Sequence, residues 1–456
     1  MIDDTIAAVA TALGEAGLAV VRVSGKDALT VVDRAFRPGG TKGERVSESQ
    51  GHRILYGHIV VEGVVIDEVL ISVFKAPRSF TAEDVAEISC HGGMLVTRKV
   101  LDAVLGAGAR LAEPGEFTRR AFVNGRIDLT QAEAVSDLIH ARSELAMRAS
   151  SEQLAGKLAV RINRMRDDLI SVLAHVEAHI DFPDEDIAPD TRESLIGRMR
   201  QGRETMRSLL EWAEEGRILR EGVRAAIVGR PNAGKSSLLN HLLGYDRAIV
   251  SEVAGTTRDS IHETASIRGI PVVFVDTAGL RATEDAIEKE GIERSRQALT
   301  DAELVLHVVD GHEPCSAMDL AYFEEFQGKK RIVVVNKADL DQRFELPAEF
   351  DFPLVAVSCS NSTGLDALKD CLEQIVWSGS VPSDSYEMMI NSRHRNALER
   401  ADAALATCLA GFEDDLSIEL PAMDLRIATT AIGEIVGKTS NDDLLDSIFH
   451  QFCLGK

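Results

Sequence analysis

The chain has 456 residues, 45% of them hydrophobic, enough to bury roughly two or three separate cores. Its 73 acidic residues against 50 basic ones give a formal charge of −23, which argues against a protein that grips nucleic acid unaided over a wide surface and requires any RNA contact to use a local patch or a partner. The six cysteines, Cys90, Cys315, Cys359, Cys371, Cys408 and Cys453, include no Cys-x-x-Cys pair, and no charged start with an apolar core or run of about eighteen apolar residues occurs, so a soluble, cytoplasmic chain with reduced thiols is expected.

Over the first 120 residues short β-rich runs alternate with turns: Leu18 to Val23, Ile54 to Val60, Val64 to Phe74 and Val85 to Ser89, then a helix near Leu95 to Leu105. This predicts a compact α+β domain. From Ala141 to Ile180 apolar residues such as Leu158, Ile162, Met165, Leu169, Val172 and Val176 recur every three or four positions, which predicts one long amphipathic helix. Asp181-Phe182-Pro183-Asp184 ends it, and a second helical pattern runs from about Thr191 to Gly216. On the long helix His175 and His179 lie four apart without a third ligand in sight, and Lys157, Arg161 and Arg164 form a basic stripe that reads as a solvated face or an RNA contact.

The largely apolar run Val223 to Val228 leads into Gly-Arg-Pro-Asn-Ala-Gly-Lys-Ser at 229 to 236, with a helix following from Ser237 to Leu243. The octapeptide fits G-x-x-x-x-G-K-[ST], in which backbone NH groups turn toward phosphate oxygens, Lys235 reaches the outer phosphates and Ser236 offers its hydroxyl to magnesium. Next, Asp276-Thr277-Ala278-Gly279 follows the apolar stretch Pro271 to Val275, which puts Asp276 at a strand's carboxyl end near magnesium and the Gly279 NH toward the γ-phosphate. Asn336-Lys337-Ala338-Asp339 follows Arg331 to Val335. There Asp339 can accept two hydrogen bonds from the guanine edge, where adenine lacks both donors, so the spacing selects GTP. Finally Ser358-Cys359-Ser360 follows Leu354 to Val357 and stands where a backbone NH would meet the guanine oxygen, in place of the usual Ser-Ala-Lys.

Together these segments resemble the GTPase domains of the Ras-like class and, within it, bacterial translation-associated GTPases. Where Ras-like enzymes carry a glutamine that orients the attacking water, this chain has Leu280. Either hydrolysis is slow or another group reaches in from the carboxylate-rich stretch Arg281 to Gly291. After this domain the pattern returns to helices, near Ser392 to Leu409, Met423 to Val436 and Asp442 to Phe449. Helices on both sides predict a G domain, about residues 218–378, inserted into a helical domain made of 121–217 and 379–456, so that nucleotide-driven motion would reach the helical body.

Asp4-Thr5-Ile6-Ala7-Ala8, Val20-Val21-Arg22-Val23-Ser24-Gly25, His91-Gly92-Gly93, Pro114-Gly115-Glu116-Phe117-Thr118 and the tail Phe452-Cys453-Leu454-Gly455-Lys456 extend the resemblance over essentially the whole chain, to the MnmE/TrmE family of bacterial and organellar GTPases that modify tRNA. The resemblance implies a multidomain α/β and α+β fold: an amino-terminal folate-binding and dimerisation domain (1–120), a discontinuous helical domain and an inserted Ras-like P-loop G domain. It further implies that GTP meets Asn232, Ala233, Gly234, Lys235, Ser236, Ser237, Ser251, Thr256, Thr257, Asp276 to Gly279, Asn336, Lys337, Asp339, Ser358 and Cys359. Potassium would be held by Asn232, Ser251, Val253 and Thr256, and magnesium by Ser236 and Thr257. Potassium would supply a fixed positive charge where other GTPases insert an arginine. Glu288 matches the family's water-orienting glutamate, and Arg281, with Arg258 and Asp259, would be a switch residue, with Lys235 completing the catalytic set. Read by itself, without the resemblance, Glu288 reads first as a solvated carboxylate at a helix start.

For a tetrahydrofolate derivative (5-formyl or 5,10-methylene) the family pattern points to Arg22, Glu87, Arg126 and Lys456, arginine and lysine being natural partners of its anionic tail. Arg126 stands where lysine is common, and Thr11-Ala12-Leu13-Gly14-Glu15-Ala16-Gly17 replaces a Pro-Pro-Gly-Arg-Gly-like stretch. Cys453 has either a chemical role or one of packing and positioning Lys456. The function implied is GTP hydrolysis coupled, with a flavin-dependent (FAD) MnmG/GidA-type partner in a heterotetramer or larger complex, to addition of a carboxymethylaminomethyl or aminomethyl group at carbon 5 of the tRNA wobble uridine. The protein itself would be a homodimer. The alternative is a ribosome-assembly switch GTPase without covalent RNA chemistry, which would need a basic RNA module.

Overall fold

The computed structural model describes residues 4–40, 43–181, 189–246, 263–275, 302–325, 328–377, 389–414, 416–439, 442–450, 452 and 455. They fall into two compact units: Met1–Ser136 with Ala159–Asp167 and Thr429–Lys456, and Asp137–Leu158 with Asp168–Ala428.

The first unit is built on strands β1 (Ile6–Val9), β2 (Ala16–Ser24), β3 (Phe36–Pro38), β4 (Arg53–Val61), β5 (Val64–Phe74), β6 (Val85–Gly92) and β7 (Arg110–Leu111), in the order β3-β4-β5-β6-β2-β1-β7. Neighbours are antiparallel except β1 and β7, which are parallel. Period-two alternation sets the two faces. In β5, Val69, Ile71 and Val73 are buried, whereas Leu70 between them is 47% exposed. The buried face packs with helices Ala28–Ala35 and Met94–Gly106 through Val21, Val23, Ile88, Val32, Val100 and Val104. The tail segment returns to this unit: helix Asp442–Phe449 and Phe452 bury Leu445, Ile448 and Phe449 with Leu129 and Ala132. Gly115, at φ +70°, allows that approach, because a Cβ there would lie 2.4 Å from the Phe449 carbonyl oxygen.

The second unit contains β8 (Val223–Val228), β9 (Glu263–Ile267), β10 (Ile270–Phe274), β11 (Leu304–Asp310), β12 (Lys330–Asn336) and β13 (Leu354–Ala356), ordered β13-β12-β11-β8-β10-β9. All adjacent pairs are parallel except β9 with β10. The near-continuous burial of β11 and β12 fits a sheet covered on both faces, every residue of β11 and all but Lys330 of β12 being buried. Helices Lys235–Asp246 and Leu365–Val376 contribute Leu238, Leu242, Leu368 and Leu372 to the core. Chain order reverses between β8 and β11, so the crevice at their carboxyl ends is the topological switch point of a doubly wound sheet.

Two helical expectations change. The single helix expected over Ala141 to Ile180 is two, Glu144–Leu154 and Lys157–Asp181, because Gly156 takes φ +88° and breaks the ladder; Ser143 caps the first by accepting from the Ala146 amide. The pattern from Thr191 to Gly216 forms Pro189–Glu211 and then Ala213–Glu221, parted at Trp212, whose ψ of −5° departs from the helical value. No helix among the described residues is long and apolar enough to cross a membrane.

Candidate functional site

The P-loop leaves the carboxyl end of β8 at the switch point. Its shape depends on glycine at both ends: Gly229 has φ +143° and a Cβ there would sit 2.0 Å from the Val308 carbonyl oxygen, and Gly234 has φ +98° with a Cβ 2.0 Å from Asn336 Nδ2. Asn232, at φ +62°, makes the left-handed turn between them. Lys235 opens the following helix and donates from Nζ to the carbonyls of Gly229 and Arg230, both at 2.8 Å, while burial pushes its ammonium below the usual lysine range. Ser236 and Ser237 lie exposed in the first turn of that helix.

Three strand ends converge on this loop. Asn336, the last residue of β12 and 3% exposed, donates from Nδ2 to the Ala233 carbonyl at 2.9 Å and accepts at Oδ1 from the Cys359 amide at 3.3 Å. Lys337, at φ +64°, turns its ammonium onto Asp310 Oδ2 at 2.6 Å, at the end of β11. Burial alone would raise the Asp310 carboxyl; Lys337 and the His312 amide outweigh that and hold it below its ordinary value. The buried Ser358 hydroxyl donates to Asp339 Oδ1 at 2.5 Å, which aims an otherwise exposed carboxylate beside the Cys359 turn. Burial raises the Cys359 thiol, as it raises Cys90, Cys315, Cys371 and Cys408, all free thiols.

The structure thus brings together Asn232, Ala233, Gly234, Lys235, Asn336, Lys337, Asp339, Ser358 and Cys359 around one crevice. Ser251, Val253, Thr256, Thr257, Asp276, Thr277, Ala278, Gly279, Arg281, Glu288, Cys453 and Lys456 lie outside the described residues. The oxygen donors present, the Asn232 amide and the Ser236 hydroxyl, are of the hard type that potassium and magnesium take. Sequence reasoning passed over Asp310, Asp319 and Arg230. Buried Asp319 accepts from Arg230 Nε at 3.0 Å and thereby braces the P-loop residue whose carbonyl holds Lys235. Asp310 and Asp319 lie outside the motif, so only the folded register exposes their roles.

In the first unit Arg22 and Glu87 stand directly opposite on β2 and β6, Arg22 donating from Nε to Glu87 Oε1 at 2.9 Å. The Phe80 ring lies 5.1 Å from the Arg22 guanidinium and 5.3 Å from that of Arg126, and Arg126 also donates to the Phe80 carbonyl at 2.7 Å. Phe80 therefore joins two of the expected folate residues, a role no sequence motif signalled. Arg22 is charge-paired with Glu87, while the exposed Arg126 is positioned by a neutral carbonyl and presents its charge outward. The tail comes to the same unit: a Cβ on Gly455 would lie 2.1 Å from the Val9 carbonyl oxygen at the end of β1. His175 does not join a metal cluster among the described residues; its Nδ1 lies 2.8 Å from the Ser171 carbonyl one turn back.

Residues 129–453 match the family described as the MnmE helical domain, and residues 5–126 match that described as the GTP-binding protein TrmE N-terminus. The chain is 44% identical to the tRNA modification GTPase MnmE of Bacillus licheniformis, over 99% of this chain and 100% of that protein. It is 46% identical to the protein of the same name from Geobacter sulfurreducens, over 100% of both. Among solved structures, the G domain of the T. maritima FeoB iron transporter aligns at 27% identity and a TM-score of 0.26, over 34% of this chain and 98% of that one. With a family match over most of its length and such relatives from end to end, the chain belongs to the MnmE family of tRNA modification GTPases.

Proposed function

We propose that the chain is a potassium-dependent GTP hydrolase. With a flavin-dependent protein of the MnmG/GidA type, it adds a carboxymethylaminomethyl or aminomethyl group to carbon 5 of the tRNA wobble uridine, using a one-carbon unit from a tetrahydrofolate derivative. The observation that carries the reading is the Asn336 bridge, which locks the phosphate loop, the base-reading Asp339 segment and the Cys359 turn into one guanine-nucleotide cradle. Family membership over essentially the whole length favours this over a ribosome-assembly switch.

In this reading Asn232 contributes to potassium, Ser236 to magnesium and Lys235 to the outer phosphates. The two cations supply fixed positive charge against the charge that develops between the β- and γ-phosphates. Asp339 selects guanine. Glu288 orients the water that Leu280 cannot. Arg22, Arg126 and Lys456 receive the folate's anionic tail, with Glu87 fixing Arg22 in place. A homodimer is supported by the solvent face of the β4–β5 ribbon, where Tyr56 (51% exposed) stands opposite Leu70 (47%), with Ile54 (67%) on the same face.

The test is GTP hydrolysis by the purified protein in potassium and in sodium buffer at equal ionic strength. Strong stimulation by potassium is expected, together with GTP binding but little hydrolysis in Glu288→Ala. Equal rates in the two salts would remove the potassium assignment, and wild-type turnover in the variant would remove Glu288.

A further inference from the structure

At the amino ends of β8 and β11, the opposite edge of the sheet from the P-loop, lies a cavity of about 450 Å³ lined by Arg142, Arg217, Arg220, Arg224, Glu221, Glu303 and His140. A strand of six residues separates the two edges, roughly 20 Å, so this cleft is distinct from the nucleotide crevice. Its walls are fixed by two of the arginines. Arg217 bonds Glu214 and Glu303, each at 2.7 Å, and Arg220 bonds the buried Asp137 at 2.8 Å. Glu303 is anchored in turn, its backbone NH donating to the Arg224 carbonyl at 2.8 Å and its carboxylate accepting from the Arg224 amide at 3.2 Å.

The remaining two arginines have no carboxylate partner among the described residues. Arg142, in the turn that Ser143 caps, donates only to the Thr264 hydroxyl at 3.1 Å. Arg224 occupies the exposed position of a strand in which every other residue is buried. The lining thus sets four arginines against Glu221 and Glu303, with Glu214 and Asp137 taken up by Arg217 and Arg220, and Arg142 and Arg224 are the guanidinium groups of the cleft that engage no carboxylate among the described residues. In a chain of net charge −23, RNA contact has to be concentrated at such a place. The lining offers no Phe, Tyr or Trp ring on which a base could stack, so it fits the backbone rather than a nucleotide.

We propose that this cleft binds phosphate groups of an RNA backbone, with Arg142 and Arg224 making the contacts. The proposal rests on the tRNA-modification reading and adds a docking point that the nucleotide and folate residues do not provide. The test uses the full chain and an unmodified tRNA transcript, with affinity followed by fluorescence anisotropy between about 50 and 200 mM KCl. Arg142→Ala/Arg224→Ala is expected to bind about tenfold more weakly with a log–log salt slope lower by about two, and the double Lys variant to recover most of both. GTP hydrolysis without tRNA is expected to be unchanged in either variant, which reports an intact fold. Variants that bind with wild-type affinity and slope overturn the proposal while leaving the tRNA reading standing. A wild-type chain with no tRNA affinity overturns both. If inorganic pyrophosphate binding is lost in the alanine variant while tRNA binding is not, the cleft takes free anions and the RNA assignment is wrong.

Discussion

Asn336 reaches 2.9 Å from its side-chain nitrogen to the carbonyl of Ala233, more than a hundred residues earlier, and through this bond the end of β12 holds the phosphate loop in shape. The same nitrogen would meet a Cβ on Gly234 at 2.0 Å, so the glycine and the asparagine are required together.

Replacing Asn336 with Ala leaves a buried carbonyl without its donor, which costs about 1–3 kcal/mol. If that cost falls on the nucleotide-ready loop, GDP affinity drops about tenfold to a hundredfold. Asn336→Asp keeps the acceptor for the Cys359 amide but loses the donor to Ala233, so it is expected to be as weak as the alanine variant. Titration with a fluorescent GDP analogue measures both. An aspartate variant that binds like the wild type would mean the Ala233 bond contributes nothing.

His307 lies fully buried on β11, its ring 4.5 Å from that of Phe323, and burial, reinforced by Arg331 and Arg230 against Asp319, lowers its pKa to about 4. Between this value and the ordinary one of about 6.5, the unfolded chain binds a proton that the folded chain refuses, so stability falls as pH drops through that window. The full effect is on the order of 3 kcal/mol. His307→Phe is expected to flatten the pH dependence of the urea midpoint between about pH 7 and 5. Parallel curves for variant and wild type would refute this.

The G domain was largely legible in the sequence because three of its motifs follow largely buried strands, β8, β10 and β12, whose mostly apolar runs mark their period and length. What stayed hidden was pairwise and long-range. Asp319 acts on Arg230 across the fold, and the Phe80 ring gathers Arg22 and Arg126, neither relationship having a fixed spacing to read. The missed helix break has a different cause. The apolar period continues across Ala155 and Gly156, so hydrophobicity alone overrode a glycine that in the fold takes a left-handed turn.

Arg120, 1% exposed, gathers Asp4, Glu83 and Glu116, at 2.6, 3.3 and 2.9 Å. Burial would raise the carboxyls of Asp4 and Glu116, but the Arg110 and Arg120 guanidinium groups more than offset it and hold both below their ordinary values. Their stabilisation is therefore present above the usual carboxylate pKa of about 4 and is lost as pH falls through the lowered values. Arg120→Met, which leaves the buried Glu116 with Arg110 as its remaining guanidinium partner, is expected to cost about 1–3 kcal/mol at pH 7 and progressively less toward pH 3. Thermal or urea unfolding at the two pH values tests it; a deficit that does not shrink in acid would assign the loss to packing.

Gly455 sits at φ +88° against β1, where an added methyl group would lie 2.1 Å from the Val9 carbonyl oxygen and 3.0 Å from Ala10 Cα. Alanine faces both a disfavoured backbone region and a clash with main chain, which cannot swing aside as a side-chain end does. The chain must then lift away from β1 at Gly455. Since Lys456 is expected to meet the folate tail, Gly455→Ala should weaken binding of a reduced folate by about tenfold or more, the scale of one lost charge-assisted contact. The bonds of Asn336 to Ala233 and Cys359 that hold the nucleotide crevice involve no tail residue, so GTP binding should be unaffected. Calorimetric titration with 5-formyltetrahydrofolate, paired with GDP titration on the same sample, separates the two. Unchanged folate affinity would show that the seating of Gly455 on β1 does not position the ligand.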